Sequence, residues 1–316
     1  METNLTARAN SRRGLVLILL AAILWGTVGV ATQGLYHLTD TNALSIGFFR
    51  LAIATPALAA ACWATLGRRA FKIAPRDLVF MLLIGAATAG YQVCYFAAIA
   101  RVGVAVAVLI TLCTAPVIVA LASAVLLRER LSATTLLALA CALGGAALLV
   151  LSTTGIGGER RDTLAGVLLA LLSALGYALI AMFSRTVAGR YHPLQPITVG
   201  FGAGALMLLP FALAAGLVSV YPVAGWLLLL HLGLLPTALA YGLFLAGLRH
   251  TTATVASVVT LIEPLTSTLL AWLLFGERLG WLGLVGAALL FGAIALLYWG
   301  ASQPARADRS ERVQLD

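Results

Sequence analysis

Long apolar runs, broken by short polar punctuation, organise this chain from residue 14 to residue 300. Ten runs can be delimited, at about 14–36, 43–66, 77–100, 103–127, 132–151, 163–185, 194–217, 225–248, 252–275 and 280–300. Each holds about 20 residues or more, enough to cross ~30 Å of hydrocarbon as helix at ~1.5 Å rise per residue. Strands of a membrane barrel would be half that length and would alternate polar with apolar positions, which these runs do not. Backbone groups in lipid must pair within their own segment, so the runs are expected to be helices. The fold class predicted is an all-α polytopic membrane protein with ten transmembrane helices.

The runs are not independent. Residues 101–132 contain Arg101, Pro116 and Glu129-Arg130-Leu131. Residues 249–280 contain Arg249, Pro264 and Glu277-Arg278-Leu279 in the same order. One offset of 148 residues aligns them all, and it also lays Gly85 and Phe96 on Gly233 and Phe244. With Gly14 laid on Gly166, Trp25 falls opposite Tyr177; separately, Pro56 in the second run answers Pro210 in the seventh. The chain is therefore read as a duplication. Its expected parts are a first repeat at 14–151, a linker at 152–162, a second repeat at 163–300 and a disordered tail at 301–316. Five helices per copy is an odd number, so consecutive copies must point opposite ways across the membrane. The expected architecture is two inverted five-helix repeats around a central cavity, a plan with its binding site near the midplane.

Composition supports this reading: 62% of the 316 residues are hydrophobic and 10% are charged, against about 25% charged in a soluble domain. The net charge of +9 does not indicate nucleic acid, because the basic residues sit at the ends of apolar runs and form no single patch. They read as topology signals facing a lipid bilayer. With the N-terminus inside, fifteen Lys and Arg fall on the cytoplasmic side, among them Arg12, Arg13, Arg68, Arg69, Arg190 and Arg249. Four (Arg101, Arg160, Arg161 and Arg278) fall outside, and Arg50 lies within a run. That imbalance places both termini in the cytoplasm. Arg12-Arg13 before an apolar run resembles a signal peptide, but the run is too long and is read as an uncleaved first helix. The four cysteines lie inside apolar runs with no C-x-x-C pair, so neither a disulfide nor a metal site is expected. There is no Walker loop, H-E-x-x-H or G-x-S-x-G, so neither direct ATP use nor an enzyme is indicated, and no cofactor is expected.

Ten helices in two halves, with Glu-Arg-Leu closing the fourth and ninth, resemble the EamA type of the drug/metabolite transporter (DMT) superfamily over nearly the whole chain. Within it the sequence is most similar to bacterial YddG-type aromatic amino acid exporters. The resemblance implies a multi-pass protein of a bacterial inner (plasma) membrane, a basket of helices around a central cavity, working by alternating access on a small-molecule substrate.

Candidate site residues follow from the rarity of polar groups at mid-span. Glu263, near the middle of the ninth run, is an ionisable group where charge is unfavourable, and such groups are functional by default. It would bind a substrate ammonium or take up a proton; its repeat counterpart is Ala115. Arg50 would hold a carboxylate in a fork, or else snorkel to headgroups or pair with Glu263. Trp25, Tyr91, Gln92, Tyr95, Tyr177 and Tyr241 would line a cavity, stack on an apolar ring and donate hydrogen bonds, with Tyr91 and Tyr95 on one helix face. His231 is a further substrate or proton candidate. Pro116 and Pro264 would each free a backbone carbonyl at mid-helix, helped by Thr111 and Thr114 or by Thr260 and Thr266, to face the cavity or hinge the helix. Trp63, Tyr221, Trp226, Trp272, Trp281 and Trp299 read as an interface belt. Small residues at Gly200–Gly204, Ala140/Gly144 and Ala288/Gly292 read as helix-contact positions, and Glu129/Arg130 and Glu277/Arg278 as interface anchors and local ion pairs, not site residues.

The function expected is a secondary transporter exporting small amphipathic metabolites, with aromatic amino acids first. Exporters of other amino acids or of organic cations are the alternatives, and a channel is a more distant one. The inverted repeat makes a direct prediction. Single cysteines replacing Arg101 and Arg249 will be labelled by an impermeant thiol reagent from opposite sides of the membrane; labelling from one side ends the inverted-repeat reading.

Overall fold

A computed structural model describes residues 2–126, 133–153, 160–250, Ala256 and 259–302. These residues are helical or in turns, and no strand occurs among them. In chain order the helices are α1 (Glu2–Leu38), α2 (Ala43–Leu66), a 3-10 turn (Gly67–Phe71), α3 (Pro75–Leu126), α4 (Ala133–Thr153) and α5 (Arg160–Val187). They continue with α6 (Leu194–Ala214), α7 (Val223–Gly233), a π turn (Leu234–Leu239), α8 (Ala240–Leu248), α9 (Ile262–Phe275) and α10 (Trp281–Ser302). Among the described residues, six stretches are long and apolar enough to cross a membrane: Arg13–Leu38, Ala43–Ala70, Pro75–Ala122, Asp162–Val187, Leu194–Ala214 and Val223–Leu248. Leu136–Leu149, Ile262–Phe275 and Trp281–Leu296 are shorter apolar helices. Large apolar side chains such as Leu168, Leu206, Phe211 and Leu227 are exposed, as a surface solvated by lipid requires.

Local chemistry sets the helix ends. Asn42 accepts the Ser45 N–H at 2.9 Å and caps α2. Pro75 opens α3, where its missing N–H has no helical partner in any case. Gly276, at φ 67°, ψ 17°, closes α9 in the left-handed conformation that glycine adopts without strain.

α3 is not one rod. Gly103 stands at φ 77°, ψ 173° inside it, a conformation closed to L residues. Gly166 of α5 packs on Val102, and Gly176 of α5 packs on Tyr91, so the first limb of α3 runs antiparallel to α5. An unbroken rod would carry Thr111 about 13 Å beyond Val102, past Gly166. Instead Thr111 Oγ1 donates to the carbonyl of Ala170 of α5 at 3.2 Å. The second limb therefore doubles back beside the first. The two runs expected at 77–100 and 103–127 correspond to these limbs.

Small residues set the closest helix approaches. Gly85 of α3 lies on Gly200 of α6 so tightly that a Cβ at 85 would stand 2.5 Å from the Gly200 carbonyl. α4 and α10 cross at Gly145 and Gly286, where either Cβ would stand 2.7 Å from the other's carbonyl oxygen. The expected contact at Gly144 and Gly292 is thus displaced: Gly292 has nothing within reach of an added Cβ, and the face of α4 is set one residue further along. Tyr221 is also corrected. It is buried, and its hydroxyl meets Thr41 Oγ1 at 2.6 Å, while Trp63, Trp226, Trp272 and Trp281 are exposed.

One end of the bundle is tied by polar contacts. Buried Asp77 at the start of α3 accepts from Arg190 Nη1 at 2.7 Å and from the Tyr191 hydroxyl at 2.8 Å. Arg249 Nη2 meets His192 Nε2 at 3.0 Å. Partial burial and the nearby Arg249 charge both hold the His192 imidazole below its ordinary pKa. The first Glu-Arg-Leu turn (Glu129–Leu131), residues 154–159 of the expected linker and the tail beyond Ser302 lie outside the described residues.

Gly145→Val will lower the melting temperature in detergent, because overpacking a tight contact costs about 1–3 kcal/mol. Gly144→Val, one residue away, will lower it far less.

Candidate functional site

A cavity of about 530 Å³ lies within the bundle. Its lining includes Trp25 and Val28 of α1, Arg50 of α2, Tyr91, Gln92 and Tyr95 of the first limb of α3, and Leu112, Cys113 and Pro116 of the second limb. Tyr177 and Ser184 of α5, Phe201 of α6, Thr237 of the π turn, Tyr241 and Phe244 of α8, and Glu263 and Pro264 of α9 complete the wall. The cavity runs from a floor at Val28, Tyr95, Leu112 and Cys113 to part-exposed Ser184, Pro196, Ile197 and Leu248, at the end that carries Arg190 and Arg249. Toward the opposite end, beside Arg101, Val102 and Val104 through Ile110 are all buried.

Arg50 is held by a chain of backbone chemistry. Pro236 has no N–H, so it cannot serve the carbonyl of Leu232 four residues earlier, and the helix widens there into the π turn. The Thr237 hydroxyl donates to that carbonyl at 2.7 Å. The same oxygen accepts from Arg50 Nε at 2.9 Å. The guanidinium also stands over the Phe96 ring, 5.8 Å from its centroid. Arg50 is 6% exposed, and its Nη1 has no hydrogen-bond partner among the described residues. The expectations of a snorkelling arginine or of an Arg50–Glu263 pair are both corrected. The side chain is buried, and no nitrogen–oxygen contact of 4.0 Å or less joins the two residues. Hydrogen bonding to Thr237 keeps the guanidinium in place, so it needs no carboxylate partner.

Glu263 does not sit in mid-helix. α9 begins at Ile262, which places Glu263 in its first turn, and the Glu263 N–H bonds the Thr260 carbonyl at 3.0 Å in a tight turn. Pro264 is likewise in the first turn, where its missing N–H breaks no helical bond. The expectation of a mid-helix proline at 264 is corrected accordingly, while Pro116 does lie inside α3. Thr111 and Thr114 do not serve the carbonyl that Pro116 frees. Thr111 bonds across to Ala170, and Thr114 Oγ1 has no partner among the described residues.

The aromatic side chains form two groups. Tyr91 and Tyr95 stack with centroids 6.0 Å apart and planes at 17°, and Tyr177 meets Tyr91 edge-on at 5.5 Å. Trp25 meets Tyr241 at 5.3 Å and Phe244 at 5.2 Å, and Phe201 meets Tyr241 at 5.4 Å. Trp25 Nε1 and Gln92 Oε1 are buried with no partner among the described residues. Unpaired buried polar groups are unfavourable by ~1–3 kcal/mol, so this wall is suited to a polar ligand.

His231 is not among the lining residues. Its Nε2 lies 2.8 Å from Thr27 Oγ1, whose proton goes to the Leu24 carbonyl at 2.6 Å. The contact ties α7 to α1 and leaves the imidazole off the cavity wall. Residues the sequence reading passed over are Thr237, Phe201, Phe244 and Cys113. Thr237 had a signal, a hydroxyl next to a proline within an apolar run.

A membrane-embedded helical bundle with an enclosed amphipathic cavity is the build of a transporter. The EamA-like transporter family model matches the chain twice, over residues 12–151 and 164–299, and the chain belongs to that family. An uncharacterized transporter of Archaeoglobus fulgidus is 31% identical over 288 residues, covering 91% of this chain and 97% of that protein. The uncharacterized transporter YwfM of Bacillus subtilis is 30% identical over 284 residues, covering 89% and 92%. A protein of Streptantibioticus cattleyicolor named a probable terminal-alkyne amino-acid exporter is 29% identical over 283 residues, covering 89% and 91%. A crystal structure 24% identical in sequence, covering 92% of this chain and 99% of that chain, matches with a TM-score of 0.63 and shows the fold alone.

Thr237→Val removes the acceptor that orients Arg50 while keeping side-chain size. Transport will fall with a raised KM and unchanged protein level, and Thr237→Ser will restore it. Equal KM for wild type and Thr237→Val would show that Arg50 is positioned by other means.

Proposed function

We propose that this chain is a secondary carrier that exports small zwitterionic metabolites by alternating access, with aromatic amino acids the best fit. One observation carries the reading: Arg50 and Glu263 line one aromatic cavity without pairing with each other. A free Nη1 suits a carboxylate, a carboxyl group suits an ammonium, and the aromatic groups suit an apolar ring between them. A volume of about 530 Å³ lies within the usual range for small-molecule sites. The amino-acid exporter name of the Streptantibioticus relative supports the same substrate class.

The carrier crosses an inner membrane ten times in this reading. The limbs of α3 count as two crossings, and α7, the π turn and α8 count together as one. Two family matches of similar length support a repeat of five helices each, and an odd number inverts the second. With the Lys- and Arg-rich ends in the cytoplasm, the cavity faces inward at the Arg190 end and is closed outside at the Arg101 end. Protons are the candidate coupling ion, with Glu263 the group that would carry them.

The test is uptake of a labelled panel by purified protein in liposomes, with and without a pH gradient: aromatic amino acids, other amino acids and organic cations. Aromatic amino acids will be preferred and their exchange will saturate. Arg50→Lys will lower exchange about tenfold or more, since one charge-assisted hydrogen bond is worth ~1.5–3 kcal/mol. Glu263→Gln will do the same. Preference for organic cations, with Arg50→Lys unaffected, would replace the zwitterion reading with a cation site built on Glu263 and the aromatic wall.

A further inference from the structure

Glu277 had been read from the sequence as an interface anchor at a helix end, but its contacts assign it a different part. The bend at Gly103 exposes the first N–H groups of the second limb of α3, which have no helical acceptor. Glu277, from the turn after α9, supplies one. Its Oε1 accepts from Val104 N at 2.9 Å and its Oε2 from Ala105 N at 2.9 Å. The fit leaves no room for another side chain: a Cβ at residue 103 would stand 2.9 Å from Glu277 Oε1, and the φ of 77° already demands glycine. A carboxylate with both oxygens on the N–H groups of a helix start is a charge-assisted cap, strengthened by the helix dipole. No nitrogen of Arg101 comes within 4.0 Å of this carboxylate, and its Nη1 donates to the Ala97 carbonyl.

The cap lies at the Arg101 end of the cavity. Val104 there packs against Gly29 of α1, and Ser267 of α9 reaches the same glycine: a Cβ on Gly29 would stand 2.6 Å from Val104 Cγ1 and 3.2 Å from Ser267 Oγ. α1, α9 and the second limb of α3 thus converge at one point, and Glu277 fixes α9 against that limb. The same two elements carry Glu263 and Pro264, and Leu112 and Pro116, on the cavity wall. Opening this end requires α9 and the limb to part.

We propose that Glu277 is a positioning residue for transport: its carboxylate latches α9 to the second limb of α3, holds the Arg101 end of the cavity shut, and lets go when that end opens. The proposal rests on the alternating-access reading, but its first test needs no substrate. Leu112→Cys places a thiol on the cavity floor in a chain whose four cysteines are replaced by Ala. An impermeant maleimide is then applied to each side of oriented vesicles. With Glu277 present, labelling will come from the Arg190 side. Glu277→Gln keeps one hydrogen bond and sets an amide N–H against the other, so labelling from the Arg101 side will rise about tenfold or more. Glu277→Gln with unchanged labelling from the Arg101 side, and unchanged melting temperature, overturns the latch.

A second test replaces the same contact by a covalent bridge. Ala105→Cys with Glu277→Cys, in the chain lacking the four native cysteines, is bridged by a short bifunctional methanethiosulfonate, which forms a disulfide to each thiol with loss of two sulfinates. Bridging will stop saturable exchange, and a reductant that cleaves the disulfides will restore it. Exchange that continues undiminished in the bridged protein also overturns the proposal. Absence of any transported substrate, with the labelling shift present, would leave the latch standing and refute the carrier reading.

Discussion

In a lipid interior no water is available to accept a stray backbone hydrogen bond. Three breaks among the described helices meet that constraint. Where Gly103 turns the chain, the exposed N–H groups of Val104 and Ala105 go to the Glu277 carboxylate. Where Pro236 removes a donor, the stranded Leu232 carbonyl goes to the Thr237 hydroxyl. Where α9 starts, Glu263 closes a tight turn onto Thr260. Each repair places a polar side chain inside the bundle, and Thr237 and Glu263 are on the cavity wall. The breaks and the site are therefore one feature.

The wall built this way is electrostatically open. Arg50 uses Nε to hold its place on Thr237 and leaves Nη1 free, with Phe96 under the guanidinium. A buried cation is tolerable when hydrogen bonds and an aromatic face replace part of its hydration. Glu263 lies across the same cavity and does not close on it. Had the two met, the pair would have filled its own site, and the cavity would have had no charge left to offer a ligand.

The two ends of the bundle are held by different chemistry. At one end, Asp77 binds Arg190 and Tyr191, and His192 meets Arg249, in contacts that are partly exposed. At the other, a carboxylate binds backbone N–H groups beside fully buried apolar side chains. The Arg190 side chain is half exposed while Asp77 is buried, so salt reaches one partner of that pair only.

Much of this was legible along the chain. Apolar runs without alternation and rare charges dictate a helical membrane body, because hydrophobic length and backbone pairing in lipid are properties of consecutive residues. The spacing of polar groups singled out Arg50, Glu263 and the tyrosines, since a polar group at mid-span is costly wherever it occurs. The same logic could not show that His231 meets Thr27, 204 positions away, or that Glu277 meets the backbone of Val104 and Ala105 instead of a local partner. It put Pro264 in mid-helix, because an apolar run gives no sign of where a helix restarts. Which polar groups meet, and which stay unpaired, was decided only when the helices packed. Hydrogen bonds act over about 3 Å, and residues far apart in sequence come within that distance through tertiary structure alone.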